Sequence, residues 1–334
     1  MNGPFIKIPN IGWDSALDTG FGNRIQWWEM AYDLNKHNDF RFTIIVAQDR
    51  WSETKYLDFP CTVSSQQYYE LEYLQEINVR DRDWKKTLDT GTDWYIKNRW
   101  PPFGPKGVGY YGIWLHLITL KDKALESKIK EVVKDRIGIH IRHWPTIDTD
   151  PRPNSIPRFD YRSKMKQVKK VMDEYSNSKF YVSSDVTYTK PGGHIDRTET
   201  ASCLPDFRNE THWISEIYKD YDVVDYRDII SVNDVVDVKM NVVDENNSSW
   251  LRELSINNEG LIEGYRAVLD NKLKGKLPYF SEDGVINEIY ERKILRDVVD
   301  LFSLIYSREF IDSKETGPTS SWSDFVHCYR NRKE

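Results

Sequence analysis

Ile137-Gly138-Ile139-His140-Ile141-Arg142 alternates β-branched apolar residues with Gly138, His140 and Arg142. A period of two over a run this short predicts a buried core strand. Just before it, Lys121 to Lys134 predicts an exposed helix with Leu125, Ile129, Val132 and Val133 as its apolar stripe. The local order is therefore helix, short turn, strand. His140 and Arg142 share one face of that strand at its end, where the chain runs into Pro145. In open α/β sheets, ligands sit outside the carboxyl ends of the strands. An arginine placed there can fork two hydrogen bonds to a phosphate with no metal between them. On these residues alone, a salt-bridged arginine and a histidine capping a loop is the simpler reading.

Outward from this stretch, the 334 residues suggest two domains. The chain is 30% charged and 39% hydrophobic, as in ordinary globular proteins. A formal net charge of −6 argues against a nucleic-acid partner. Twelve Trp and twenty Tyr fit stacking on sugar rings, although large aromatics more often fill cores. Met1 to Gly12 lacks a basic start followed by an apolar run, so no signal peptide is expected. No stretch approaches the ~20 apolar residues that span a bilayer, so no membrane span is expected. Cys61, Cys203 and Cys328 are far apart and odd in number, suggesting neither a disulfide framework nor a zinc site. A cytoplasmic location is the expectation that follows.

Phe5 to Ile8 predicts a first strand, and Asp18-Thr-Gly-Phe-Gly-Asn-Arg24 a tight glycine loop. Asn23 to Lys36 has helical spacing through Ile25, Trp27, Trp28, Ala31, Tyr32 and Leu34, and Phe42 to Val46 predicts a buried strand. Strand, glycine loop, helix and strand make a βαβ unit, with backbone N–H groups at the helix start where anions are favoured. A plain tight turn explains Gly20 and Gly22 as well. Ser65 to Ile77 suggests a helix, and Trp94 to Pro102 an irregular aromatic-lined connection. The first domain is expected to cover 1–135 and the second 136–334.

In the second part, prolines 151, 153 and 157 mark a loop, and Phe159 to Tyr175 a basic amphipathic helix. Lys179 to Asp185 predicts a strand, Asp206 to Lys219 a helix and Tyr221 to Val224 a short strand. The Asn/Asp-rich run Val232 to Ser249 reads as irregular. Val285 to Tyr306 has strong helical spacing through Ile286, Ile289, Ile294, Val298, Leu301 and Leu304. Phe310-Ile311 suggests a last strand. Thr319 or Ser320, followed by Ser323 and Asp324, is N-cap chemistry for a closing helix to Arg330.

Four short motifs then stand in order: Gly20-Phe-Gly-Asn-Arg24, Ile139-His-Ile-Arg142, Phe180-Tyr-Val-Ser-Ser-Asp185, and Asp300-Leu-Phe-Ser-Leu followed by Ser320-Ser-Trp-Ser323. That set resembles the GDP-fucose-dependent fucosyltransferases, of the nodulation-factor, core α1,6 and protein O-fucosyltransferase types. The resemblance runs from Gly20 to Ser323. It implies an α/β fold of GT-B type, with two Rossmann-like domains facing across a cleft: an acceptor-side N-terminal domain and a nucleotide-sugar-binding C-terminal domain. It implies that Arg142 binds the β-phosphate of GDP and that His140 meets the guanine or ribose side. Asp300 would accept from the two donors on the guanine edge. Ser320, Ser321 and Ser323 would belong to the phosphate-holding helix start. Gly22, Asn23 and Arg24 would reach fucose and phosphate from the first domain, and Asp185 would order the site. The reaction implied is inverting displacement at the fucose anomeric carbon, with no cofactor and no metal. A fixed arginine would stabilise the leaving diphosphate, and a carboxylate would deprotonate the acceptor hydroxyl. Core-type enzymes place that carboxylate as a Glu ten residues after the motif His. Here the position is Asp150, with Asp148 beside it. Their second motif arginine is His143 in this chain, and Gly20 stands where some protein O-type enzymes carry a Glu. The partners implied are a nucleotide-sugar donor and an oligosaccharide or glycoconjugate acceptor. The acceptor is expected near Trp27, Trp28, Trp51, Trp84, Trp94 and Trp100.

Two other readings compete. Asp148-Thr-Asp150 could hold Mn²⁺ or Mg²⁺ against a UDP-sugar. In a chain with 53 acids, however, such triplets recur, as at Asp81-Arg-Asp83 and Asp220-Tyr-Asp222. A non-catalytic glycan-binding protein on a transferase scaffold is the third reading.

Overall fold

The computed structural model describes residues 4–8, 21–46, 53–60, 75–78, 87–97, 115–141, 161–184, 215–231, 236–242, 250–256, 285–312 and 321–331. The chain is mixed α/β and divides into two compact units, 1–123 with 324–334, and 124–323.

The first unit holds β1 (Phe5–Lys7), α1 (Phe21–His37), β2 (Thr43–Ile45), α2 (Glu53–Tyr56), β3 (Leu57–Asp58), β4 (Gln75–Asn78), β5 (Trp94–Lys97) and β6 (Thr119–Leu120). Four of these strands form an all-parallel sheet in the order β2-β1-β5-β4. The expected βαβ unit is present, with β1 paired to β2 through Phe5 opposite Thr43. α1 forms because Ile25, Trp27, Trp28, Ala31 and Leu34 recur at helical spacing, and all five are buried. Each large apolar side chain buried there contributes roughly 1.5–3 kcal/mol. The helix stops because Asp39 and Phe40 both take left-handed backbone, φ 56°. Asn35 then clamps the turn: its amide donates to the Phe42 carbonyl at 2.7 Å and accepts from the Phe42 N–H at 3.0 Å.

Three expectations fail in this unit. α1 begins at Phe21, two residues ahead of the expected start at Asn23, so Gly22 lies inside its first turn and not in a loop ahead of it. Residues 75–77, expected to end a helix, belong to strand β4. Trp94, expected in an irregular connection, opens β5, which lies between β1 and β4. Trp94 and Ile96 are buried and Tyr95 between them is half-buried, but four residues are too few for that period to stand out in the sequence.

The second unit contains α3 (Lys123–Val133), β7 (Arg136–Ile141), α4 (Tyr161–Asp173), β8 (Lys179–Ser184), α5 (Ser215–Asp220), β9 (Asp222–Val224), β10 (Val236–Val242), β11 (Trp250–Ile256), α6 (Val285–Tyr306) and β12 (Glu309–Ile311). The closing helix α7 (Ser321–Arg330) follows in the chain, with 321–323 in this unit and 324–330 in the first. Its sheet is again all parallel, in the order β12-β7-β8-β9. The apolar residues of the opening stretch, Ile137, Ile139 and Ile141, are fully buried. α6 packs against β7 and β8 with Ile294, Val298, Leu301 and Leu304 buried. Gly138 permits this: a Cβ there would lie 2.6 Å from Ser307 Oγ and 3.0 Å from Leu304 Cδ2. The turn from α4 to β8 passes through Asn177 at φ 63°, a residue that tolerates left-handed backbone.

One expectation fails here as well. The composition of 232–249 predicts an irregular run, but Val236–Val242 is a strand paired antiparallel to β11, with Val236 opposite Ile256. Val236, Val238, Met240 and Val242 do alternate with Asp237, Lys239 and Asn241, a period masked by the polar content. Of the helix expected over 206–219, only the part from Ser215 lies within the described residues.

β7 leads through α4 to β8 and on to β9 on one side, while β12 returns to its other side. The sheet's strand order therefore reverses beside β7. In open parallel sheets, the crevice for a ligand lies outside the carboxyl ends at such a point.

Candidate functional site

His140 is the penultimate residue of β7 and only 3% exposed. Its Nδ1 lies 3.0 Å from Ser323 Oγ, joining residues 183 positions apart. Ser323 is buried in the first turn of α7. Either Nδ1–H donates to the hydroxyl or the hydroxyl donates to a bare Nδ1, as the tautomer dictates. The Trp322 ring lies 6.5 Å from the imidazole, centroid to centroid. The first N–H groups of an α-helix have no partner within the helix, and its positive end attracts anions. The carboxyl end of β7 and the amino end of α7 thus come together at the strand-order reversal, with a histidine and a serine fixed between them.

The other donor-site expectations separate into three groups. Gly22, Asn23 and Arg24 lie in the first turn of α1, and Ser321 opens α7, with only their backbone described. Arg142, Asp148, Asp150, Asp185 and Ser320 lie outside the described residues. Asp300 is described in full: it is 5% exposed in the middle of α6. Its Oδ1 accepts the Tyr181 hydroxyl at 2.7 Å, and Oδ2 lies 3.5 Å from Arg296 Nε. Burial pushes the Asp300 carboxyl up to about 7, while Arg296 and the Tyr181 hydroxyl pull it down and Asp297 and Asp225 push it further up. The Tyr181 phenol is raised as well, first by burial and then by the Asp300 charge.

Beyond the end of β9, Asp225 caps a turn of 3₁₀ helix, Tyr226–Asp228. Its carboxylate takes the Arg227 guanidinium at 2.7 Å and the Tyr218 hydroxyl at 2.7 Å. Burial alone would raise it, but these partners outweigh burial and hold it below the usual carboxylate range. With this many partners, the group serves the turn.

Sequence reasoning missed Tyr181, Ser184 and Arg296 as members of one cluster. Arg296 and Asp300 stand four apart on a helix, a spacing that signals an ion pair. Tyr181 is 119 residues from Asp300 and carried no such signal. The expected aromatic platform is corrected where it is described: Trp27, Trp28 and Trp94 are buried in the core and offer no face to a glycan. Trp51, Trp84 and Trp100 lie outside the described residues. Among the described residues, no group of three or more His, Cys, Asp or Glu could hold a metal ion, and no helix is long and apolar enough to cross a membrane. No family model, curated protein or solved structure matches the chain.

Proposed function

We propose that the chain is a glycosyltransferase that moves fucose from GDP-fucose to a glycan or glycoconjugate hydroxyl, with inversion and without a metal. One observation carries the reading. His140 of the second motif and Ser323 of the fourth, 183 residues apart, meet at 3.0 Å where β7 ends and α7 begins. A resemblance built on scattered motifs requires such a meeting, and a strand-order reversal is where an α/β sheet takes a ligand.

In this reading the diphosphate is drawn to the positive amino end of the α7 dipole, with Ser320 and Ser321. Arg142 follows β7 directly and supplies the fixed positive charge for the leaving diphosphate. His140, held by Ser323, is oriented towards the nucleoside. Asp150, or Asp148 beside it, takes the acceptor proton as the glycosidic bond forms. The two units with parallel sheets are the parts of a GT-B enzyme, and that architecture belongs to the proposal.

The test is Arg142→Ala and Asp150→Asn, assayed with GDP-fucose against a glycan acceptor panel. Arg142→Ala is expected to abolish transfer and weaken GDP binding while the fold survives; full activity would overturn the phosphate role. Asp150→Asn is expected to spare GDP affinity and slow transfer, and an unchanged rate would move the base elsewhere.

A further inference from the structure

Asp300 occupies surroundings that suit a different task from reading a base. A carboxylate that reads guanine must turn its oxygens towards two ligand donors. Here Oδ1 takes the Tyr181 hydroxyl, Oδ2 faces Arg296 Nε, and the residue is 5% exposed. Arg296 is itself 4% exposed, and its Cζ lies 4.7 Å from the centre of the Tyr226 ring. A guanidinium held by a carboxylate and an aromatic face has little freedom, so its remaining N–H groups point in fixed directions.

One of them has a definite target. Arg296 Nη2 donates to the carbonyl of Ser184, the last residue of β8. The Ser184 hydroxyl in turn donates to the Ile141 carbonyl at 2.9 Å, and Ile141 is the last residue of β7. A continuous buried line therefore runs from Tyr181 through Asp300, Arg296 and Ser184 to Ile141. In the sequence, Arg142 follows Ile141 and Asp185 follows Ser184. Strand ends are where ladder hydrogen bonds run out, and this line replaces them at the rim that the donor would face.

We propose that Arg296 and Asp300 are positioning residues: Asp300 aims Arg296, and Arg296 fixes the carboxyl-terminal rim of β7 and β8 so that Arg142 meets the donor diphosphate. Asp300 does not read the base. The inference rests on the donor reading above. Its physical content is preorganisation, because a displacement of about 1 Å at a reacting centre can cost on the order of 100-fold in rate.

The experiment compares wild type, Asp300→Asn and Arg296→Lys, with Tyr181→Phe as a milder variant in case Asp300→Asn does not fold. Affinities for GDP and for inosine diphosphate, which lacks the exocyclic amine, are measured by calorimetry. Acceptor KM and kcat are measured per folded molecule. Hydrogen exchange is followed over residues 139–142 and 182–185. The ratio of GDP to inosine diphosphate affinity is expected to stay as in wild type, while kcat falls by about 10- to 100-fold at an unchanged acceptor KM. Exchange is expected to rise at the two strand ends. A ratio that collapses in Asp300→Asn shows that Asp300 reads the base and overturns the proposal. A lowered melting temperature with kcat and rim exchange unchanged overturns it too, since that is a structural role alone. If wild type binds neither nucleotide, the donor reading fails by itself. Exchange at 139–142 and 182–185 in Arg296→Lys then decides the positioning claim: a local rise supports it and wild-type exchange overturns it.

Discussion

The two units carry four-stranded parallel sheets of similar make, yet they use buried polar side chains differently. In the first unit, Asn35 grips both backbone groups of Phe42, and Asn38 donates to the Leu34 carbonyl and accepts from the Leu88 N–H. These amides substitute for missing backbone partners where α1 turns into β2. In the second unit, buried polar side chains meet one another: His140 with Ser323, Tyr181 with Asp300, Asp300 with Arg296. Arg296 and Ser184 then carry that network to the strand ends. Backbone-directed amides build a turn. Side chains paired at a strand-end rim desolvate charge, a cost that a fold tolerates more readily where a site needs fixed dipoles. The contrast lies in what the buried polar groups serve: backbone at a turn in the first unit, one another in the second.

The contrast breaks first at Asp300. An unfolded aspartate loses its proton near pH 4, roughly, whereas in the fold the Asp300 carboxyl is raised to about 7. Between these values the folded chain holds more protons than the unfolded one, so stability falls as pH rises through the interval. The effect is on the order of a few kcal/mol. Urea titrations of wild type and Asp300→Asn across pH 5 to 8 are expected to show the gap between them changing through this window. A constant gap would mean that the carboxyl stays ionised throughout.

Gly138→Ala comes next. Its new Cβ would lie 2.6 Å from Ser307 Oγ, whose hydroxyl is 2.8 Å from the carbonyls of Leu304 and of Glu309. The neighbour can yield only by giving up those bonds, so a loss of about 1–3 kcal/mol is expected in denaturant titration. Asn35→Ala is the counterpart in the first unit. It strands the Phe42 N–H and C=O, costing roughly 1–2 kcal/mol, and it is expected to leave ligand affinity in the second unit unchanged. A change in that affinity would undo the separation of roles. The smallest effect is Lys130→Ala on exposed α3, which removes the 2.6 Å pair with Glu126. A shift of about 0.5 kcal/mol or less is expected on melting.

Long or strongly patterned elements were legible in the sequence. Val285 to Tyr306 was readable to its ends because Ile294, Val298, Leu301 and Leu304 recur on one face over about three turns. β7 and β8 were readable from their apolar runs. β5 was not, because Trp94-Tyr-Ile-Lys97 is too short for its alternation to stand out. β10 carries a period of two, but the Asn and Asp residues in and around it mask that period. At the candidate site, His140 and Ser323 stood out as residue types in suggestive places. Their meeting is a tertiary fact across 183 residues, and no local pattern encodes it. Nor did any local pattern disclose that Tyr181 donates to one oxygen of Asp300 while Arg296 Nε stands 3.5 Å from the other.

The measurement that bears most directly on the whole account is calorimetric titration of the intact chain with GDP and with UDP, each with and without EDTA. GDP binding that exceeds UDP binding and ignores EDTA is the expected result. UDP binding that disappears when EDTA removes divalent metal would contradict it and turn attention to Asp148 and Asp150 as metal ligands.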